Sequence, residues 1–254
     1  MLKFNFLPKF SLIIVTSFIL FIIIGTLTHE FGHIAVAKYF GYDTTLDYGS
    51  INYYRNGYLE DENLKEINQF VDKYDYNNYN NWPAEVKSKV EELSLLLEKK
   101  YPPIKESHTI LITIGGPAQT LMTSCIGLLI LFVRRKKWKQ AFELIDWLAV
   151  FMALFALREI FNFVSASHSS LLYDKLNFYG DEFRISRYLG FNDWIIPIIT
   201  VIIGFAISCY VVFKIIPLKF RFTFIISGLI GGILGYSIWF GFLGAAFFNS
   251  KIGF

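Results

Sequence analysis

Residues 11–41 read SLIIVTSFILFIIIGTLTHEFGHIAVAKYFG, a long apolar run that passes without a break into two histidines and a glutamate. Residues 11–24 carry no charge, and about 20 apolar residues are enough for a helix to cross the hydrocarbon of a bilayer. The run is longer than the apolar core of a usual signal peptide, and no small-residue cleavage site follows it. We therefore predict a retained membrane helix that ends near Gly41.

The composition of the whole chain favours the same environment. Of the 254 residues, 54% are hydrophobic and 18% are charged, whereas an ordinary soluble domain has about 25% charged residues. The apolar residues fall into long runs, which predict an all-α polytopic membrane protein of about five transmembrane helices with a small polar α/β insertion between the first two spans. The predicted spans cover residues 10–38, 108–133, 141–165, 193–213 and 222–248.

Three regions follow from this pattern: a first span with the histidine motif (1–41), a polar extramembrane insertion (42–107), and the remaining membrane helices with a loop at 166–192 (108–254). The insertion has 13 acidic and 8 basic residues, so it is expected to lie in water. Within it, Asn56-Gly57 is typical of a hairpin turn, and Pro83 favours the start of an amphipathic helix that runs to Lys100.

The positions of the basic residues predict the topology, because cytoplasmic loops are enriched in Lys and Arg. The N-terminus and the loops after the second and fourth spans should be cytoplasmic, and the insertion and the 166–192 loop should be outside. No stripe of basic residues suggests nucleic acid. We expect a multi-pass protein of the cell membrane. The Asn-, Lys-, Tyr- and Ile-rich usage suggests an AT-rich bacterial genome, so the expected location is a bacterial inner membrane. The basic residues behind this assignment are Lys3, Lys9, Arg134, Arg135, Lys136, Lys137, Lys139, Lys214, Lys219 and Arg221.

The motif His29-Glu30-Phe31-Gly32-His33 indicates a metal site. On a helix, residues four apart lie one above the other, so His29 and His33 can bind one Zn²⁺. Glu30 then lies beside the position of the attacking water, where it can act as general base. Gly32 lets a neighbouring helix or a substrate backbone approach closely.

A catalytic zinc usually has three protein ligands and one open position. Asp181 is predicted as the third ligand, because it follows Gly180 on the same predicted side of the membrane as His33; Asp174 and Glu182 remain alternatives. Two further residues of the 141–165 span are predicted to act in the site. Arg158 would hold a carboxylate or a substrate carbonyl, and Asn162, one helical turn later, would donate to a developing oxyanion.

These motifs resemble the site-2 protease family of intramembrane zinc metalloproteases. The resemblance rests on the HExxH motif at the end of an early span and on Gly115-Gly116-Pro117 in the next one. It implies His29 and His33 as zinc ligands, Glu30 as base, and a late aspartate as third ligand. Thr120 stands where the family usually has asparagine, and the family's late Asn-x-x-Pro…Leu-Asp-Gly motif is absent. Family members also hold their metal nearer the cytoplasmic face, whereas the topology predicted here places the metal toward the outer face.

The expected function is therefore hydrolysis of peptide bonds in membrane-associated proteins or peptides, with Zn²⁺ as cofactor. A different class of function is also compatible with the residues, namely a non-catalytic zinc-binding transporter, sensor or binder. Glu30 argues against this class, since a structural site needs no general base. A third alternative is a membrane metalloprotease of another lineage that uses Glu182 as a ligand.

Overall fold

The computed structural model describes residues 5–74, 76–173, 180–248 and 252–253. The fold is a helical membrane bundle with a small sheet at one end, as the sequence predicts. Its helices are α1 (Pro8–Tyr39), α2 (Glu62–Tyr74), α3 (Ala84–Lys100), α4 (Glu106–Val133), α5 (Arg135–Trp138), α6 (Leu144–Ala153), α7 (Leu157–Tyr173), α8 (Asp181–Tyr188), α9 (Ile195–Tyr210), α10 (Leu218–Ile238) and α11 (Gly244–Phe247). Its strands are β1 (Tyr42–Asp47), β2 (Ser50–Arg55) and β3 (Ile252–Gly253), in the order β2-β1-β3 with antiparallel pairs.

Four helical segments are long and apolar enough to cross a membrane. They agree with four of the five predicted spans, and π-helical turns extend two of them beyond α9 and α10. The segments are Pro8–Tyr39, Glu106–Val133, Ile195–Ile215 and Leu218–Phe247.

The predicted span at 141–165 is built in two pieces, because a 3-10 turn at Leu154–Ala156 separates α6 from α7. Asp146 of α6 lies beside Arg134, just after the last residue of α4. Asp181, which follows α7, lies instead beside His33, whose other ring nitrogen contacts the Ile112 carbonyl in the first half of α4. The segment thus passes from one end of α4 towards the other, although neither helix alone is long enough to count as a span.

The 166–192 segment is not a simple loop, contrary to the sequence-based prediction. Helix α7 continues to Tyr173, and α8 occupies Asp181–Tyr188. The polar residues of α8 hid it from a search for apolar runs, but the helix is anchored by buried Phe183 and Ser186. The Ser186 hydroxyl accepts a hydrogen bond from the Ile196 N–H at 3.0 Å, which ties α8 to the start of α9.

Glycines allow close contacts between helices of the bundle. A Cβ on Gly231 of α10 would come within 2.7 Å of the Val15 carbonyl oxygen of α1. Gly32 of α1 and Gly115 of α4 face each other so closely that a Cβ on either would overlap the other's carbonyl group. Small residues of this kind allow helix backbones to touch in a membrane. Helix α1 is therefore packed against α10 in its first half and against α4 at the histidine motif.

The insertion forms a hairpin, but its turn is not at Asn56-Gly57. Strands β1 and β2 pair from Tyr42–Arg55 to Asp47–Ser50, so the turn is Tyr48-Gly49. Gly57 does have the positive φ of +78° that its turn signal implies, yet it lies in the turn between β2 and α2. Its N–H donates to Asp43 Oδ2 at 2.9 Å. The predicted helix from Pro83 is confirmed as α3, with Pro83 at its N-cap.

Candidate metal centre

Three side chains from two distant parts of the chain meet beside α4. His29 and His33 lie one turn apart on α1, and Asp181 is the first residue of α8. His29 Nε2 is 3.0 Å from Asp181 Oδ2, His33 Nε2 is 3.2 Å from the same oxygen, and the two Nε2 atoms are 3.2 Å apart. Both histidines are buried, and the Asp181 side chain is 19% exposed. The three atoms form a compact triangle that could hold one metal ion.

The size of the triangle fits a small divalent ion. In a tetrahedral site with bonds of ~2.0–2.1 Å, neighbouring ligand atoms are roughly 3.3 Å apart, close to the observed separations. The far side of each ring is also satisfied, since His29 Nδ1 lies 3.0 Å from Thr120 Oγ1 and His33 Nδ1 lies 2.7 Å from the Ile112 carbonyl oxygen. When Nδ1 donates to these acceptors, Nε2 keeps its lone pair for a metal. The residues present therefore fit a metal with two nitrogen ligands and one oxygen ligand.

The absence of a side chain at Gly116 leaves space for the Nε2 atoms of His29 and His33. A Cβ at this position would overlap Nε2 of both His33 and His29. The adjacent contact between Gly32 and Gly115 brings the α4 backbone against α1 at the same level. The Gly115-Gly116-Pro117 element therefore has a specific place in the structure: it forms one wall of the candidate centre.

Glu30 and Arg158 add two charged groups to the surroundings of the triangle. Glu30 is buried, and it lies within electrostatic reach of His33, Arg158 and Asp181. Arg158, in the first turn of α7, is half-buried and interacts electrostatically with His29. Its Nε–H is buried and has no hydrogen-bond acceptor among the described residues. A cation with an unused donor thus lies near the glutamate and the histidines.

Beside this group lies a buried pair of carboxyl groups, from Glu159 of α7 and Glu182 of α8. Glu159 is 1% exposed, and it interacts with Glu182 and with the side chain of Thr200. The Thr200 hydroxyl donates instead to the Pro197 carbonyl at 3.1 Å. Both Glu159 oxygens and Oε1 of Glu182 consequently lack a donor among the described residues. Two such carboxyl groups can hydrogen-bond to each other only when one of them carries a proton.

The structure separates the three candidates for the third ligand. Asp181 lies with the histidines as predicted, Glu182 points to Glu159, and Asp174 lies outside the described residues. The alternative in which Glu182 completes the centre finds no support in this arrangement. Asn162 is partly buried one turn after Arg158, but within the described parts of the chain no hydrogen bond joins it to the three ligand residues.

Sequence reasoning missed the two groups that hold the histidine rings. Thr120 appears in the sequence only as a replacement for the asparagine of the resembled family, yet its buried hydroxyl contacts His29. The Ile112 acceptor is a backbone carbonyl, which no side-chain motif reveals. In a regular helix the Ile112 carbonyl accepts from the Gly116 N–H, but here that N–H lies 3.2 Å from His33 Nδ1. The next residue, Pro117, has no N–H and leaves the Thr113 carbonyl without its usual helical donor.

Comparisons of the chain with protein-family models, with curated proteins and with solved structures gave no match.

Proposed function

We propose that the chain is an intramembrane zinc metalloprotease that hydrolyses peptide bonds of membrane-associated substrates. The observation that carries this proposal is the triangle of His29, His33 and Asp181, whose ligand atoms lie 3.0–3.2 Å apart with a buried glutamate on the same helix. The motif's resemblance to the site-2 protease family supports the same activity. The two-histidine, one-carboxylate set alone would also suit ferrous iron, so the identity of the metal has to be measured.

The proposed chemistry divides between the metal and the chain. Zinc held by His29, His33 and Asp181 would polarise the substrate carbonyl and bring the pKa of a water in its open position to about 7. The Glu30 carboxylate takes the proton of the attacking water and passes it to the leaving amine. Thr120 and the Ile112 carbonyl keep the imidazoles in the required tautomer and orientation.

Arg158 is proposed to stabilise the negative charge that develops on the substrate oxygen. Its guanidinium is half-buried near Glu30, and its Nε–H is unused within the described residues. A fixed cation in a water-poor site is more effective than the same cation in water. Asn162, on the same side of α7, is proposed as a second donor that is engaged only when substrate is present.

The decisive test compares Glu30→Gln with His33→Ala in the full-length protein. We expect about one zinc per chain in the wild type and in Glu30→Gln, and none in His33→Ala. Proteolysis should fall by at least about 100-fold in Glu30→Gln, because the amide cannot accept the proton. Metal is measured by mass spectrometry of the purified protein, and proteolysis by labelling new N-termini in membranes of cells that express each variant. Glu92→Gln, an exposed glutamate of α3, is the matched control.

The same experiment distinguishes the proposal from its alternative. A zinc-loaded wild type that generates no new N-termini beyond those of Glu30→Gln would favour a non-catalytic zinc-binding transporter, sensor or binder. A protein that folds but binds no zinc when zinc is supplied would contradict both functions.

A further inference from the structure

A second candidate site lies at the opposite end of the bundle from the histidines. The end of α4, the short helix α5 and the π-helical turn after α9 enclose a cleft of about 430 Å³. Its floor is formed by Leu131 and Ile215, both of which are buried. The Trp138 Nε1–H donates to the Leu131 carbonyl oxygen at 2.8 Å, which fixes α5 against the end of α4. The cleft is therefore built by packed elements rather than by loose side chains.

Three cations line this cleft: Arg135, Lys139 and Lys214. None of them forms an ion pair with a carboxylate of the described residues. The Arg135 guanidinium lies 5.8 Å from the centre of the Phe132 ring, and the Lys139 ammonium lies 5.9 Å from that of Trp138. Such ring contacts leave the N–H donors free. Their charges are thus available to an anion.

The adjacent Arg134, unlike the three cations of the cleft, is paired with acidic residues. Arg134 donates to Asp146 at 2.7 Å and to Glu143 at 2.6 Å, so its charge is neutralised within the fold. No equivalent acid faces the three cations of the cleft in the described parts of the chain.

The position of the cleft identifies the ligand class. Two membrane-spanning segments, Glu106–Val133 and Ile195–Ile215, end at this cleft, so it lies where the chain leaves the hydrocarbon. Phe132 and Tyr210 are exposed at its rim, where acyl chains would cover them. A ligand that fits must be anionic at one end and apolar at the other. This end also carries the basic loops that predict a cytoplasmic face, and the cytoplasmic leaflet contains anionic lipids.

We propose that this cleft binds an anionic phospholipid, with its phosphate held by Arg135, Lys139 and Lys214 and its acyl chains against Phe132 and Tyr210. The proposal is independent of the metal centre and of proteolysis. Basic pockets between membrane helices on the cytoplasmic side are known to hold lipid headgroups.

The test uses two triple variants that remove the same charge. In the cleft variant Arg135, Lys139 and Lys214 are changed to Gln. In the control variant Lys136, Lys137 and Lys219 are changed to Gln; these exposed residues lie near the cleft but do not line it. Each protein, in detergent, is titrated with phosphatidylglycerol or phosphatidylcholine, and bound lipid is counted by native mass spectrometry.

We expect the wild type and the control variant to prefer phosphatidylglycerol, and the cleft variant to lose at least about tenfold of that affinity. Equal losses in the two variants would show a general effect of surface charge and overturn the site. Equal binding of both lipids by the wild type would overturn it too. Glycerol 3-phosphate is added as a competitor, and displacement of the lipid at equimolar concentration would identify a soluble phosphate as the ligand instead. If the cleft variant does not fold, Lys214→Gln alone is compared with Lys219→Gln under the same criteria.

Discussion

The two ends of the bundle both bury charged side chains, but they satisfy them differently. At the end of α4, Arg134 donates to Asp146 and Glu143, and the Glu143 N–H donates back to Asp146 at 2.9 Å. Asp146 is fully buried, and it closes a capping box with Glu143 at the start of α6. At the other end, the Nε–H of Arg158 and both Glu159 oxygens have no partner among the described residues.

This difference separates a structural cluster from a chemical one. Buried polar groups that serve stability are normally saturated with hydrogen bonds, because each unsatisfied group carries a desolvation cost. The Arg134 cluster meets this condition within the chain. The groups around His29 and His33 do not, and their three ligand atoms converge on one point. The comparison therefore predicts that equivalent substitutions at the two ends change different properties.

The largest contrast should come from replacing one aspartate at each end. Asp181→Ala removes a proposed metal ligand, so we expect metal affinity to fall by more than about 100-fold. This loss would exceed the roughly 10- to 100-fold effect of losing a residue that only supports a ligand. The thermal stability of the metal-free protein should change little. Asp146→Ala removes the buried acceptor of the Arg134 Nε–H, leaves Arg134 with Glu143 alone, and opens the cap of α6. The unfolding temperature should therefore drop by roughly 5 °C or more while metal is retained. Metal content and tryptophan-monitored melting measure the two properties. Loss of metal in Asp146→Ala with an intact fold would contradict the comparison.

A smaller contrast is expected from one methyl group at two glycines. In Gly116→Ala the new Cβ would overlap the Nε2 atoms of both histidines, so the rings must move and metal binding should weaken by at least about tenfold. In Gly232→Ala the new Cβ meets nothing within 4 Å, so binding should be unchanged. Zinc titration against a competing chelator measures both affinities. Equal affinities in the two variants would show that Gly116 does not border the metal position.

The smallest contrast concerns one hydroxyl. Thr120→Val removes the partner of His29 Nδ1 with little change in shape, and it should lower metal affinity by about 10-fold, at the low end of the effects of supporting hydrogen bonds. Thr113→Val is the control on the same helix, because its hydroxyl donates only to the Thr109 carbonyl one turn before. The same chelator titration applies. A Thr120→Val protein with unchanged affinity would mean that the hydroxyl does not orient the ring.

Some of this arrangement is predictable from the sequence because it depends on spacing. The separation of His29 and His33 alone places them on one helical face, and the position of Asp181 after Gly180 predicts it on the same side of the membrane as His33. The spans follow from apolar runs in the same way. The broken helix at Leu154–Ala156 does not, since the apolar run through it is continuous and its helical geometry changes only locally.

Other features depend on which faces meet after folding. Thr120 contacts His29 only because α4 presents the face that carries Thr120 to α1. The sequence pattern of α4 does not indicate which of its faces packs against α1. Glu159 can be recognised as an intramembrane charge, but its neighbour Glu182 is on a short polar helix that apolar patterns do not reveal. The turn at Tyr48-Gly49 was hidden by the stronger turn signal of Asn56-Gly57, which the fold uses to end a strand.

The backbone contact between Gly32 and Gly115 limits the directions from which a molecule can reach the candidate metal centre. Nothing can pass between α1 and α4 at this level, because the two glycines leave no gap. Of the three candidate ligand residues, Asp181 is the most exposed, with 19% of its side-chain surface accessible. If a peptide substrate and the metal ion both reach the centre from the Asp181 side, they compete for the same approach. A bound peptide would then slow the removal of the metal by a chelator.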